Sequence, residues 1–233
     1  TSNDLGYDYM DDFELRFEKK ARNPVSTGWD PMDDITKGGL GKGELGVVIA
    51  PTGAGKSMVL VHLGSKALQA GKNVVHYTLE LGDTVVANRY DSCITGYHLN
   101  DIIAFKEQIY DELKDLPGKL IVKEYPTGAA HVGHFRALLN ELKLKKNFAP
   151  DLIFVDYLNI CASARVKNVA ANSYTIIKSI AEELRGLAVE FNVPIMSATQ
   201  TTRSGFSNTD VGLEDTSESF GLPATADLMF ALI

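Results

Sequence analysis

Cysteine is scarce in this chain. Cys93 and Cys161 are the only two, far apart and outside any metal-ligand spacing. A disulfide-built scaffold and a thiolate metal finger are therefore excluded, and both thiols are expected to be reduced and structural. Positive charge is also in deficit, with 23 Lys and Arg against 30 Asp and Glu and a formal net charge of -7. A surface that grips nucleic acid over a whole face needs clustered cations, so any such contact must be local. No apolar run approaches the roughly 20 residues of a membrane-spanning helix, so no membrane partner is expected. The segment after Thr1 lacks the basic start and apolar core of an export signal, which leads to the expectation of a soluble, cytoplasmic protein. Internal repeats and low-complexity segments are missing as well.

What is present suffices for one large domain: 233 residues, 45% of them hydrophobic. Apolar runs of strand length recur at residues 45–50, 74–79, 120–122, 152–155, 195–198 and 228–233. Most are continuous rather than alternating, the pattern of strands buried on both faces. Helical periodicity separates several of them. In residues 173–191, Ile177, Ile180, Leu184, Leu187 and Phe191 recur at steps of three or four, with Ser173 as N-cap. A second helix is expected over residues 57–70, closed by Gly71. Pro126, Pro150 and Pro194 fall at element boundaries, where a missing N–H does little harm. Strands alternating with helices predict an α/β fold, a mostly parallel central sheet with helices on both faces. The last run ends without a polar tail, and a chain cut from a longer protein is expected.

Residues 1–22 read as an N-terminal linker or docking helix, and residues 23–233 as the main domain. Met10, Phe13 and Phe17 share one helical face there, suited either to a neighbouring subunit or to the chain's own domain. His131 and His134 have the spacing of metal ligands but lack a third ligand nearby, so structural roles are expected. Lys143, Lys145 and Lys146 read as an exposed helix end.

The segment Ala50-Pro-Thr-Gly-Ala-Gly-Lys-Ser57 follows a buried strand and opens a helix, the context a P-loop requires. Backbone N–H groups there can converge on one concavity, reinforced by the positive end of the helix dipole. Thr52, Gly53, Ala54, Gly55, Lys56, Ser57 and Met58 are the expected nucleotide contacts. Lys56 reaches the outer phosphates of ATP, and the Ser57 hydroxyl takes one position on Mg²⁺. Ala50 stands where the pattern ordinarily begins with Gly; the residues that touch phosphate are kept.

Hydrolysis needs further polar groups at the carboxyl edge of the sheet. Asp156, at the tip of the run 152–155, is placed to hold Mg²⁺, but Tyr157 follows it, so an adjacent glutamate base is missing. Glu80, after the run 74–79, is the candidate to activate water. Gln200, after the run 195–198, is the candidate γ-phosphate sensor.

In this order the motifs resemble RecA-type ATPases, and finer matches resemble the DnaB-type replicative helicases. The stretches Pro24-Val-Ser-Thr-Gly-Trp-Asp-Pro-Met-Asp33 and Gly38-Gly-Leu-Gly-Lys-Gly-Glu44 are similar to that family's approach to the P-loop. Tyr77-Thr-Leu-Glu80 and Phe154-Val-Asp-Tyr-Leu158 are similar to its Ser-Leu-Glu and Asp-Tyr-Leu motifs. Residues 180–194 and Gln200-Thr-Thr-Arg203 resemble its later helix and glutamine strand end. Asp215-Thr-Ser-Glu-Ser219 with Ala226-Asp227 looks like its last motif, and residues 217–227 are most similar to the T-even-like bacteriophage members. The resemblance covers residues 24–233.

The resemblance implies a RecA-like domain that hydrolyses ATP to translocate 5′ to 3′ on single-stranded DNA. It implies a homo-hexameric ring, with a primase and a helicase loader as partners, and host cytoplasm as the location of a phage protein. Glu80, Lys56 and Gln200 then take catalytic roles, and Ser57 and Asp156 hold the metal. DNA contacts are expected from loops 162–172, with Arg165 and Lys167, and 201–216, with Arg203. The family's trans-acting arginine is expected beyond residue 233, so this stretch alone is expected to bind ATP but to hydrolyse and assemble poorly. A RecA or RadA strand-exchange recombinase is the alternative, since it shares the P-loop, glutamate and glutamine. A nucleotide-gated assembly module is a third reading, disfavoured by Glu80.

Overall fold

The computed structural model describes residues 6–18, 22–167, 173–200 and 225–232, without the side chains of Ser173 and Tyr174. Helix α1 (Asp30–Ile35) leads into strand β1 (Leu45–Ala50), followed by α2 (Lys56–Gln69), β2 (Val74–Thr78) and α3 (Asp83–Thr95). Next come α4 (Lys106–Leu113), β3 (Leu120–Glu124), α5 (Val132–Lys146), β4 (Leu152–Asp156), α6 (Ser173–Phe191), β5 (Ile195–Gln200) and β6 (Leu228–Ala231). The six strands form one parallel sheet in the order β3-β2-β4-β5-β1-β6.

The continuous apolar runs have the expected cause. Successive side chains on a strand point to opposite faces, and helices cover both. Ile153 and Val155 of β4 face the α5 and α6 side with Phe135, Leu139, Ile180, Leu184 and Leu187. Leu152 and Phe154, one step out of phase, face α2 and α3 with Leu60, Leu63, Val86 and Tyr90. Burying each large apolar side chain contributes about 1.5–3 kcal/mol, so β4 is fastened from both sides.

All six expected strands are present, with shifted ends. Polar residues continue the ladder past the apolar runs: Lys123 and Glu124 pair with Tyr77 and Thr78, and Gln200 pairs with Ala50. Helix α2 starts one residue earlier than expected, at Lys56, and ends at Gln69; Gly71 follows at φ +84°, in the left-handed region. Helices α3 and α4 had no clear sequence signal, because only Val86 and Tyr90 of α3 and Ile109 of α4 are buried.

The N-terminal segment departs from expectation. In place of a helix it forms a single 3-10 turn at Phe13–Arg16. The Asp8 carboxylate accepts from the N–H groups of Met10 and Asp11, competing with helical bonding. Arg16 lies over the rings of Tyr9 and Phe13 at 4.4 and 4.2 Å, so the aromatics cluster around a cation. Arg22 is tied to the main body through Glu44 at 2.8 Å.

His131 and His134 form a helix cap. The His131 ring accepts from Gly133 N–H while the His134 ring accepts from His131 N–H, two orphan donors at the start of α5. Lys143, Lys145 and Lys146 are exposed in its last turn, where cations suit the helix dipole. Both cysteines are unpaired thiols, and burial pushes that of Cys161 well up. Among the described residues no helix is long and apolar enough to cross a membrane.

Candidate nucleotide site

Four strands end at one place. Because β5 lies between β1 and β4, and β2 lies on the far side of β4, the carboxyl ends of β1, β5, β4 and β2 present their following residues side by side. The chain leaves β1 through a tight turn in which Ala54 N–H donates to Pro51 C=O at 3.1 Å. Gly53 and Gly55 have φ of +81° and +93°, and a Cβ at either would meet nothing within 4 Å. Backbone conformation demands glycine here, and the space above the turn remains open for a ligand.

A cleft of about 260 Å³ sits above this turn, lined by Thr52, Gly53, Gly55, Lys56, Ser57, Met58, Glu80, Leu81, Arg89 and Gln200. Ala54 is exposed beside it but is not part of the lining. Lys56 is buried and forms an ion pair with Glu80 at 3.0 Å. The turn carrying Glu80 is braced by Thr78, whose hydroxyl donates to Leu81 C=O at 2.8 Å and accepts from Leu81 N–H at 3.2 Å. Thr127 adds a bond to Leu79 C=O at 2.6 Å.

Asp156 lies beneath the cleft, 1% exposed. Burial raises its carboxyl above the usual range, opposed by a hydrogen bond from the Ser57 hydroxyl and by the charges of Lys56 and Arg89; Glu80 pushes the same way as burial. Its Oδ1 is buried without a hydrogen-bond partner. An orphaned carboxylate oxygen beside a serine hydroxyl at a phosphate-type turn fits a Mg²⁺ completed by phosphate oxygens. Among the described residues no three His, Cys, Asp or Glu side chains could hold a metal by themselves. Gln200 is directly across from Ala50 in the β1–β5 register. Its strand end is anchored by Thr199, whose hydroxyl donates to Asn159 Oδ1 at 2.9 Å.

The structure thus brings Lys56, Ser57, Glu80, Asp156 and Gln200 together. Arg89 of α3 joins them and was missed. Its signal was available: Val86 and Tyr90 mark the inward side of α3, and Arg89 shares that side at a step of three from Val86. The expected DNA contacts fare differently. The Arg165 guanidinium is bound to Glu182 at 2.7 Å, and Glu183 caps the backbone N–H of Arg165 at 2.9 Å. Lys167 is exposed. Arg203 and the loop 201–216 lie outside the described residues. Asp227, from the last motif, is structural: its carboxylate binds Arg185 at 3.0 Å and Leu45 N–H at 2.9 Å.

Comparison with known proteins adds to this geometry. The family model described as DnaB-like helicase C terminal domain matches residues 24–232. The chain is 44% identical over 241 residues to the DnaB-like replicative helicase of Enterobacteria phage T4, covering 98% of this chain and 50% of that protein. It therefore spans about half the length of that relative. Among solved structures, the ATPase domain of a DnaB-like helicase superposes with a TM-score of 0.75 at 18% identity, covering 94% of this chain and 79% of that one. A DnaB-like replicative helicase, solved in a study of its interactions with primase, matches with a TM-score of 0.75 at 18% identity over 98% of this chain and 57% of that one. These two likenesses show the fold, that of a RecA-like ATPase domain.

Proposed function

This chain belongs to the DnaB-like helicase C-terminal domain family, and from that premise we propose that it is the ATP-driven motor of a replicative DNA helicase. The observation that carries the reading is the convergence of Lys56, Glu80, Ser57, Asp156 and Gln200 on one cleft at the carboxyl edge of the sheet. In this reading the backbone from Gly53 to Ser57 cradles the phosphates of ATP, and Lys56 leaves Glu80 to meet the outer ones. Ser57 and Asp156 would hold Mg²⁺, which supplies charge neutralisation on the phosphate oxygens. Glu80, released from Lys56, orients and polarises the attacking water. Gln200 reads the presence of the γ-phosphate and passes it to the residues that follow β5. Arg89 adds a further positive charge facing the transferred group.

Single-stranded DNA is the proposed track, in the channel of a six-membered ring and with 5′ to 3′ polarity. A primase is a proposed partner of the longer protein, as is a loader. The 44% identity to a phage replicative helicase supports this reading over a strand-exchange recombinase. The decisive experiment measures ATP hydrolysis with and without single-stranded DNA on this chain and on a version extended at both ends. The expected result is nucleotide binding by both and DNA-stimulated turnover by the longer one. Turnover that ignores DNA in both would sink the motor reading, and helical filaments instead of rings would favour the recombinase.

A further inference from the structure

The Lys56 ammonium is held from two directions. Nζ lies 3.0 Å from Glu80 Oε2 and 4.1 Å from the centroid of the Tyr157 ring. Tyr157 follows Asp156 directly and is half-buried, packed against the α2 and α3 core. Burial raises its hydroxyl pKa, and the negative charges of Glu80 and Asp156 raise it further. Its ring therefore stands within the field of both carboxylates while its face meets the cation.

A lysine ammonium is a compact charge on a flexible four-carbon stem, able to take many positions. Glu80 alone cannot hold it through a catalytic cycle, because the incoming phosphates compete for the same donors. An aromatic face attracts a cation without consuming a directed donor, and it excludes water from that side. We propose that Tyr157 is a positioning residue: its ring keeps Lys56 aimed into the cleft as the ammonium passes from Glu80 to the outer phosphates of a bound nucleotide. The inference rests on the nucleotide-site reading above and extends it to a residue that touches neither phosphate nor metal.

The test compares Tyr157→Phe and Tyr157→Leu in this chain by equilibrium binding of fluorescent derivatives of a non-hydrolysable ATP and of ADP. Tyr157→Phe keeps the ring face and is expected to bind within about twofold of the unaltered chain. Tyr157→Leu is expected to weaken the triphosphate by roughly 2- to 30-fold, and the diphosphate less, whereas a loss of packing would weaken both alike. Pentafluorophenylalanine introduced at position 157 keeps the shape and reverses the ring quadrupole, so it should behave as Tyr157→Leu even if that variant folds poorly. Wild-type affinity in the leucine and pentafluoro variants overturns the proposal, as does an equal loss in Tyr157→Phe. An unaltered chain that binds neither nucleotide overturns the site reading and this inference with it.

Discussion

The ion pair between Lys56 and Glu80, 3.0 Å long, joins the cation meant for phosphate to the acid meant for water. Each masks the other until a nucleotide separates them. Replacing Glu80 by Gln should lower DNA-stimulated turnover of the longer protein by about 10²- to 10⁴-fold, the range for a lost general base. ATP affinity should hold or rise, because Lys56 no longer has a carboxylate competitor. Unchanged turnover in a steady-state assay would assign water activation to another group.

Acid should destabilise the fold through His76. This residue is fully buried, its Nδ1 bonded to the Tyr90 hydroxyl at 2.8 Å and its Nε2 unpartnered, and burial pushes its pKa down to about 3. Below about pH 6.5 the unfolded chain takes up a proton that the native one refuses, so stability falls toward pH 3 and is unaffected above the unfolded value. The slope from one group reaches about 1.4 kcal/mol per pH unit. Asp156 has the opposite sign, since its raised native pKa favours the folded state in acid. Urea unfolding from pH 4 to 8 should give His76→Phe a shallower acid decline than the unaltered chain, and parallel profiles would refute the assignment.

Close helix packing depends on Gly64. A Cβ there would collide with the Tyr90 hydroxyl oxygen and lie 2.8 Å from a ring carbon, and Tyr90 is itself held by His76. Gly64→Ala should cost about 1–3 kcal/mol of stability by overpacking, despite the better helix propensity of alanine. A thermal midpoint at or above that of the unaltered chain would show that α2 and α3 separate without penalty.

The paired histidines make a different forecast. His131→Ala removes a cap from α5 and should cost about 0.5–2 kcal/mol, while His131→Asn, able to accept the same bond, should recover most of it. Added Zn²⁺ should leave the thermal midpoint of the unaltered chain in place. Stabilisation by zinc that is lost in His131→Asn would reinstate a metal site.

Much of the site was legible because its chemistry is local. Residues 50–57 specify their own cradle: two glycines at positive φ and a helix start need no distant partner. Glu80, Asp156 and Gln200 were found because each follows an apolar run, and parallel strands expose their carboxyl ends together. Arg89 was not found, since its place depends on how α3 lies over β2 and β3. The N-terminal aromatics were misread for a related reason: Met10, Phe13 and Phe17 do have helical spacing, but the Asp8 turn and the Arg16 cluster override it.

By itself, then, the order of residues determined the fold class, the phosphate turn and the identity of the polar groups at the strand ends, because these follow from short-range periodicity and backbone geometry. Tertiary structure alone decided that β5 enters between β1 and β4, that Gln200 stands opposite Ala50, and that the Lys56 ammonium lies between Glu80 and the Tyr157 ring. Strand order and helix crossings are settled by burial over the whole core, a sum of long-range contacts that no local pattern contains.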